Sequence, residues 1–265
     1  MHPHTPHWQT TFQEPGAATP SVCIWRIRLN DLGDAPLNTL RPLTTPAEHA
    51  RARRYRFDAD RERHLAGRGL VRVFVARRHA CPPQEVSIRE GKHGKPHLNG
   101  RLEETAPLQF NIAHTENVVL AAFSQTHPVG IDVEALDRDA DTAALAKRIF
   151  TDEERRRWHA LPDELRAPFF FLLWTCKEAF LKALGEGLHR PPQTVECTFD
   201  EDGISGLTDA QGYSPPSPST SADRWAVHPF LVADGLWGAV VRKDALPSSL
   251  SFADARPLVQ QFFQV

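Results

Sequence analysis

Two carboxylates lie two positions apart in residues 129–134, a stretch whose β-branched residues predict a strand. Asp132 and Glu134 flank Val133, so their side chains share one face of that strand, about 7 Å apart. Like charges this close repel each other unless a cation lies between them, and Mg²⁺ typically binds one or two carboxylates together with substrate phosphates. The pair indicates a divalent-metal site, and an ordinary exposed strand edge is the alternative.

A second group of chemically capable residues lies on a predicted helix, residues 169–184, which Gly185 should end. Glu178 and Lys182 are four positions apart and share one face of this helix. As a plain ion pair they would stabilise it by only about 0.2–0.5 kcal/mol. Lys177 lies in an apolar part of the same helix, where an ammonium group needs an anionic partner.

Polar turns near predicted strands supply further candidates. Lys95 lies in the turn Gly94-Lys95-Pro96, where its ammonium could bind phosphate, although a bare turn is the commoner role of such a stretch. His114 ends the segment Asn111-Ile-Ala-His114 and could be a ligand or a structural histidine.

Two capping boxes predict where helices begin. Thr45 and Glu48 form the first, with Pro46 at the first helical position, and Thr151 and Glu154 form the second. In each box the hydroxyl can accept the glutamate's amide proton while the carboxylate reaches back to the threonine amide. Glu154 therefore has a structural role, which does not exclude a chemical one.

Other elements must position these groups. The patterns predict a strand at 22–29, a helix at about 60–78 that ends before Pro82, strands at 86–89, 108–112 and 118–123, and a hairpin at 224–232 and 236–242. Residues 1–20 are interpreted as a flexible arm and 208–222 as a loop, because small and polar residues dominate both.

Composition excludes several classes of protein. The chain has 265 residues, 41% hydrophobic and 24% charged, which is unlike a disordered chain, a collagen or a coiled-coil rod. No apolar run approaches the ~20 residues of a membrane span, and no secretory signal is recognised. Four separated cysteines support neither a zinc ribbon nor a disulfide framework. A cytoplasmic protein is expected.

Charge is spread unevenly along the chain. The net charge is −2, but residues 51–78 hold ten arginines against three acids, so this block is +7 and the remainder is −9. Such a block favours an anionic ligand or partner. One alternative is a solvated helix face. Another is a nucleic-acid-binding module, which the acidic remainder and the lack of a nucleic-acid motif disfavour.

The two halves of the chain echo each other. Thr45, Glu48 and Arg51 recur 106 positions later as Thr151, Glu154 and Arg157. In addition, the same order of a strand, a turn and an apolar strand is predicted for residues 110–124 and for residues 225–241. We expect a duplicated α+β unit, with an N-terminal half at 21–128 and a C-terminal half at 129–265. A cleft between two such halves is a favoured place for a site.

Taken together, these motifs resemble the 4′-phosphopantetheinyl transferase superfamily, specifically its larger, monomeric Sfp-type members. The family's hallmark is Gly-Ile-Asp-x-Glu followed later by Trp-x-x-Lys-Glu-Ala-x-x-Lys, here residues 130–134 and 174–182. The Gly-Lys-Pro turn at 94–96 precedes both, as in the family. The family's Asn-x-Ser-His appears at 111–114 with alanine for serine, and Phe-Thr-x-x-Glu matches at 150–154.

The resemblance implies a fold of two similar α+β halves, related by pseudo-twofold symmetry, with the active site in the cleft. Members transfer the phosphopantetheine arm of coenzyme A to a serine of an acyl or peptidyl carrier protein and release 3′,5′-ADP. They require Mg²⁺, for which Mn²⁺ can substitute. The implied partners are coenzyme A and a transiently bound carrier protein, with no nucleic acid, no membrane and a monomeric enzyme.

Roles for individual residues follow from the same resemblance. Asp132, Glu134 and Glu178 would hold Mg²⁺ against the pyrophosphate, which Lys182 would also approach. Glu154 or Glu178 would take the serine proton, directly or through a water. The implied coenzyme A-binding residues are Arg51, Arg63, Lys95, Pro96, His114, Lys177 and Lys182, with Arg51, Arg63, Lys95 and His114 on the 3′-phosphate and adenine side.

Overall fold

A computed structural model describes residues 4–10, 22–33, 35–105, 107–125, 127–136, 139–201, 203–209, 225–243 and 250–260. The chain divides into two compact units. We call residues 7–126 with 249–265 the N-unit, and residues 1–6 with 127–248 the C-unit. No described helix combines the length and apolarity that crossing a membrane would require.

The helices and strands of the described residues alternate along the chain. The helices are α1 (Pro36–Leu40), α2 (Pro46–Ala52), α3 (Asp58–His79), α4 (Arg101–Thr105), α5 (Thr142–Ile149), α6 (Asp152–Ala160), α7 (Asp163–Leu184) and α8 (Arg256–Gln260). The strands are β1 (Val22–Arg28), β2 (Ile88–Glu90), β3 (Pro96–Leu98), β4 (Gln109–Thr115), β5 (Val118–Ser124), β6 (Val129–Ala135), β7 (Val195–Asp200), β8 (Gly203–Asp209), β9 (Trp225–Ala233), β10 (Leu236–Lys243) and β11 (Leu250–Asp254).

The N-unit is built on a four-stranded sheet in the order β11-β1-β5-β4. β5 pairs antiparallel with β1 and with β4, whereas β11 joins β1 in parallel. The long helix α3 packs on this sheet through aromatic rings. Phe74 of α3 stacks on Phe123 of β5 with ring centroids 3.7 Å apart, and Trp25 of β1 meets both edge-on. This core holds the arginine-rich helix against the sheet.

The C-unit is built on a five-stranded antiparallel sheet in the order β6-β10-β9-β8-β7. The long helix α7 packs on β6 and β10. Its apolar face buries Phe170, Leu173 and Phe180, and the Phe180 ring meets Trp225 of β9 edge-on at 5.1 Å. The carboxylates of β6 and the charged residues of α7 are therefore parts of one packed layer.

Both units repeat one arrangement. In each, the first strand pairs antiparallel with the second strand of a hairpin, as β1 with the hairpin β4–β5 and β6 with the hairpin β9–β10. In each, a helix that begins with a complete capping box precedes a 22-residue helix on the sheet. The expected α+β class, the duplicated unit and both capping boxes are confirmed.

Several predicted boundaries differ from the structure. α7 begins at Asp163 rather than at 169, because the helix accommodates Pro168 in its interior. The hairpin β7–β8 was not predicted, and residues 208–209 of the expected loop belong to β8. The rest of that loop, residues 210–222, lies outside the described residues.

Long-range backbone pairing changes the expected division at both ends of the chain. Residues 249–265 were assigned to the C-terminal half, but β11 pairs with β1 and belongs to the N-unit. The described part of the expected flexible arm, residues 4–10, is also paired. Leu231 N donates to His4 O at 2.9 Å in the C-unit, and Gln9 N donates to Phe252 O at 3.0 Å in the N-unit. Residues 11–20 lie outside the described residues.

Candidate active site

Small residues let β6 and α7 approach each other closely. A Cβ atom at Gly130 would lie 1.9 Å from Ala179 O and 2.5 Å from Ala183 N, so no larger residue fits without moving the backbone. The glycine of one motif and the alanine of the other therefore set the separation of strand and helix. This contact brings Asp132 of β6 near Glu178 of α7.

Asp132 is buried, with 5% of its surface exposed. Its Oδ1 accepts a 2.6 Å hydrogen bond from Lys182 Nζ, whereas Oδ2 is buried with no hydrogen-bond partner among the described residues. Burial raises the pKa of Asp132 to about 6, although the Lys182 ammonium opposes the shift. Asp132 thus keeps an acceptor for a second cation.

Glu178 and Glu134 complete the acidic group. Glu178 Oε1 is buried without a hydrogen-bond partner in the described part of the chain. Burial first, and then the charge of Asp132, raises the pKa of Glu178 to about 7. Glu134 Oε1 accepts a 2.9 Å hydrogen bond from Trp174 Nε1, which orients that carboxylate.

The acidic group suits a hard cation chemically. Carboxylate oxygens are the ligands that Mg²⁺ prefers, and two of them here have no hydrogen-bond donor within the described ranges of the chain. Among the described residues, no three His, Cys, Asp or Glu side chains are already close enough together to hold a metal ion. Lys182 instead supplies the positive charge at Asp132.

Lys177 is in a different environment from the one expected for a coenzyme A ligand. Its side chain is fully buried, and its ammonium donates to Glu154 Oε2 at 2.5 Å, Ile149 O at 2.9 Å and Pro192 O at 3.2 Å. An ammonium has three N–H donors, and all three are used. The anionic partner expected for Lys177 exists, but the ammonium is bound inside the C-unit, which argues against a contact with coenzyme A.

Glu154 is the partner of Lys177 and is itself fully buried. Its Oε2 also accepts from Thr151 N at 2.8 Å, and its Oε1 accepts from Cys197 N at 2.9 Å. Both oxygens are therefore bound to donors within the protein. This argues against Glu154 and in favour of Glu178 as the group that accepts a substrate proton.

The N-unit holds the basic candidates for the 3′-phosphate and adenine side. Arg51 of α2 and Arg68 of α3 both pair with the carboxylate of Glu90 in β2. Arg63 of α3 donates to Glu116 O at 2.6 Å and to Asp60 Oδ1 at 2.7 Å. The arginine side chains are thus held by acids and carbonyls rather than free in solvent.

The remaining basic candidates lie at strand ends of the N-unit. The turn from β2 to β3 closes with Gly91 N donating to Lys95 O at 2.9 Å, and Gly94 takes a positive φ of 83° in it. Burial lowers the pKa of Lys95 to about 8. Pro96 begins β3 opposite Glu90, and His114 is exposed on β4.

Comparison with known proteins decides the family. A model of the 4′-phosphopantetheinyl transferase superfamily matches residues 128–229, and a model of a 4′-phosphopantetheinyl transferase N-terminal region matches residues 36–126. The chain is 40% identical over 167 residues to 4′-phosphopantetheinyl transferase HetI of Nostoc sp., covering 63% of this chain and 70% of that protein. The chain belongs to the 4′-phosphopantetheinyl transferase superfamily.

Two further relatives give the type of this transferase. It is 30% identical over 188 residues to 4′-phosphopantetheinyl transferase psf-1 of Bacillus pumilus, covering 69% of this chain and 78% of that protein. It is 28% identical over 171 residues to 4′-phosphopantetheinyl transferase Sfp of Bacillus subtilis, covering 64% of this chain and 73% of that protein. The resemblance to Sfp-type transferases is confirmed.

Arg68 and Glu90 of the transferase were not singled out from the sequence. Arg68 is buried inside an apolar part of α3, so the reasoning that demanded a partner for Lys177 applies to it as well. The arginine-rich block is also less free than its +7 charge suggests. Five of its arginines pair with acids in the described residues, namely Arg51, Arg61, Arg63, Arg68 and Arg72. This pairing weakens the nucleic-acid alternative.

Proposed function

We propose that this transferase moves the 4′-phosphopantetheine arm of coenzyme A onto a serine of an acyl or peptidyl carrier protein and releases 3′,5′-ADP. The observation that carries the proposal is the acidic group on β6 and α7 of a chain of this superfamily. Two of its buried oxygens, Asp132 Oδ2 and Glu178 Oε1, have no donor in the described residues. Oxygens of this kind would bind a hard divalent cation.

Asp132, Glu134 and Glu178 would hold Mg²⁺, or Mn²⁺ in its place. Support comes from the raised pKa values of Asp132 and Glu178, because a nearby cation would favour their ionised forms. When bound, the metal would neutralise the charge that develops on the leaving phosphate. Lys182, whose ammonium now binds Asp132, would bind the pyrophosphate of coenzyme A.

Glu178 is our candidate for the general base. The serine oxygen of the carrier would attack the phosphorus that bears the arm, and the bond from that phosphorus to the oxygen of 3′,5′-ADP would break. The serine proton would pass to Glu178, directly or through a water. Support comes from its Oε1, which has no hydrogen-bond donor in the described residues and could accept that proton. Glu154 is less suitable, because donors inside the protein bind both its oxygens.

Basic residues of the N-unit would bind the 3′-phosphate and adenine side of coenzyme A. We assign Arg51, Arg63, Lys95 and His114 to this task, with Pro96 shaping the turn. Each charge-assisted hydrogen bond to a phosphate would contribute about 1.5–3 kcal/mol. Arg51 and Arg63 would exchange their present acidic partners, Glu90 and Asp60, for the phosphate.

Mass spectrometry of carrier proteins tests the proposal. A panel of apo acyl and peptidyl carrier proteins is incubated with the protein, coenzyme A and Mg²⁺, and a mass gain of one phosphopantetheine arm is expected on at least one carrier. The same reaction with a chelator should show no gain, and added Mn²⁺ should restore it. If no carrier gains mass in a broad panel, the proposed substrate class is wrong.

A further inference from the structure

One ion pair of the C-unit lies deeper than the acidic group and next to it in sequence. Glu154 and Lys177 are both fully buried, with Oε2 and Nζ 2.5 Å apart. Lys177 immediately precedes Glu178 on α7. The pair has no exposed atoms with which to touch a substrate, so any effect it has on the reaction must pass through other residues.

The pair ties α7 to several segments of the C-unit. The Lys177 ammonium donates to Ile149 O at the end of α5 and to Pro192 O in the short 3₁₀ turn before β7. The Glu154 carboxylate accepts from Thr151 N at the start of α6 and from Cys197 N in β7. Four backbone groups from different segments therefore bind one buried pair of charges.

Helix geometry connects this pair to Glu178. Successive residues of an α-helix point about 100° apart around its axis, since one turn takes about 3.6 residues. Once the Lys177 side chain is held on one side of α7, the direction of Glu178 is fixed as well. On the β6 side, Gly130 packs closely against the backbone of α7 at Ala179 and Ala183, a contact that involves none of the charged side chains.

We infer that the Glu154–Lys177 pair is a positioning device that sets the rotation of α7 and so aims Glu178 at Asp132. The inference deepens the proposed function, because it rests on Glu178 acting as a metal ligand and base there. Glu154 and Lys177 are positioning residues, not catalytic ones.

The N-unit contains a matched pair that serves as a control. Arg72 of α3 pairs with Glu48 of the other capping box at 3.0 Å and donates to Pro83 O at 2.9 Å and Val86 O at 2.6 Å. The same design thus joins a capping box, a long helix and the segment that follows the helix. The next residue on that helix is Val73, a buried apolar side chain. The Glu48–Arg72 pair therefore does not orient a neighbouring carboxylate.

A merely structural role is the competing explanation. Removing one partner of a buried pair leaves an uncompensated charge, and such a variant could simply fail to fold. Replacing both charges together avoids that outcome, because buried ion pairs often tolerate neutral substitutes. The test therefore uses Glu154→Gln/Lys177→Met and the matched variant Glu48→Gln/Arg72→Met. Glutamine can keep a capping-box hydrogen bond in both.

Four quantities are measured on the full chain, at a temperature where circular dichroism shows that each variant is folded. They are the Mn²⁺ affinity by electron paramagnetic resonance, the kcat and KM of transfer, and the urea midpoint. Loss of a residue that supports a metal ligand typically lowers affinity or activity about ten- to hundredfold. We expect such a loss of Mn²⁺ affinity and kcat in Glu154→Gln/Lys177→Met, with little change in the KM for coenzyme A. Glu48→Gln/Arg72→Met should keep the wild-type Mn²⁺ affinity.

Two outcomes overturn the inference. One is wild-type Mn²⁺ affinity and kcat in the folded Glu154→Gln/Lys177→Met variant. The other is an equal loss of Mn²⁺ affinity in both paired variants, which would reveal general destabilisation. Failure of the proposed function is distinguishable from these outcomes, because the wild-type protein itself would then bind no Mn²⁺ or modify no carrier. In that case the inference would be wrong as well.

Discussion

Asp132 in β6 and Trp25 in β1 occupy matching places in the two units. Each lies fourth in the first strand of its sheet, and each is paired with an alanine of the neighbouring strand, Ala239 and Ala121 respectively. Two positions further along, Glu134 of β6 matches Ile27 of β1. The two strand positions that carry acidic side chains in the C-unit carry apolar core side chains in the N-unit.

The environment of the two positions explains the difference. Trp25 is fully buried and packs on Phe74 of α3. At the matching place in the C-unit, Asp132 binds Lys182 of α7. The same strand-and-helix layer can therefore hold either an aromatic core or buried charge. Burial of the charge raises the pKa of Asp132, so the acidic version needs a cation that the aromatic version does not.

The largest effect is expected from removing the carboxylates themselves. Asp132→Ala and Glu178→Gln should each lower kcat about a thousandfold or more, because a metal supplies several kcal/mol of transition-state stabilisation. Trp25→Leu at the matching place should instead lower the free energy of unfolding by about 3 kcal/mol and leave kcat of the folded protein unchanged. Carrier modification and urea unfolding measure the two. Wild-type turnover in either carboxylate variant would refute the metal assignment.

Two glycines test how tightly each helix packs. Gly130→Ala should lower the free energy of unfolding by about 3 kcal/mol or more, because its methyl group would meet backbone atoms of α7. Gly67 of α3 would place a Cβ 2.7 Å from Ile112 Cγ2, a side chain that can rotate. Alanine also favours the helix over glycine by about 1 kcal/mol, so Gly67→Ala should change the free energy of unfolding by no more than about 1 kcal/mol. Urea unfolding that finds the two variants equally stable would contradict the close contact.

The proposed role of the basic residues of the N-unit is tested with a pair of substrates. Coenzyme A and dephospho-coenzyme A differ only in the 3′-phosphate. Lys95→Ala should lose about ten- to hundredfold of the preference for coenzyme A, equivalent to one charge-assisted hydrogen bond of about 1.5–3 kcal/mol. Lys92→Ala, an exposed lysine in the same turn, is the control and should keep the wild-type ratio of kcat/KM values. An unchanged ratio in Lys95→Ala would remove Lys95 from the site.

The smallest effect concerns pH and the metal-free protein. The pKa of Glu178 is raised from 4.5 to about 7, so its contribution to stability is present below pH 4.5 and lost as pH rises through about 7. Glu178→Gln should therefore be more stable than wild type at pH 8, by about 1–2 kcal/mol, and no more stable at pH 4.5. Thermal unfolding in chelator measures this. Saturating Mn²⁺ should reverse the order at pH 8, and an unchanged order would argue against Glu178 as a ligand.

Local sequence patterns predicted much of the fold. The capping boxes at Thr45 and Thr151 mark helix starts because their hydrogen bonds join residues only three positions apart. The strands β1, β5 and β6 and the hairpin β9–β10 were predicted because apolar periodicity reports local burial. β3, β7, β8 and β11 were missed, and β11 reaches its partner β1 from the other end of the chain.

The sequence by itself determined which residue types the site uses and which family the chain resembles, because the motifs keep their residues at set spacings. It also determined that Lys177 must have an anionic partner, since a buried ammonium without one is unstable. Only the tertiary structure decided that this partner is Glu154, 23 positions away, and that both residues are bound internally. Partner choice among several acids depends on which of them the packing buries together, and that depends on contacts between segments distant in sequence.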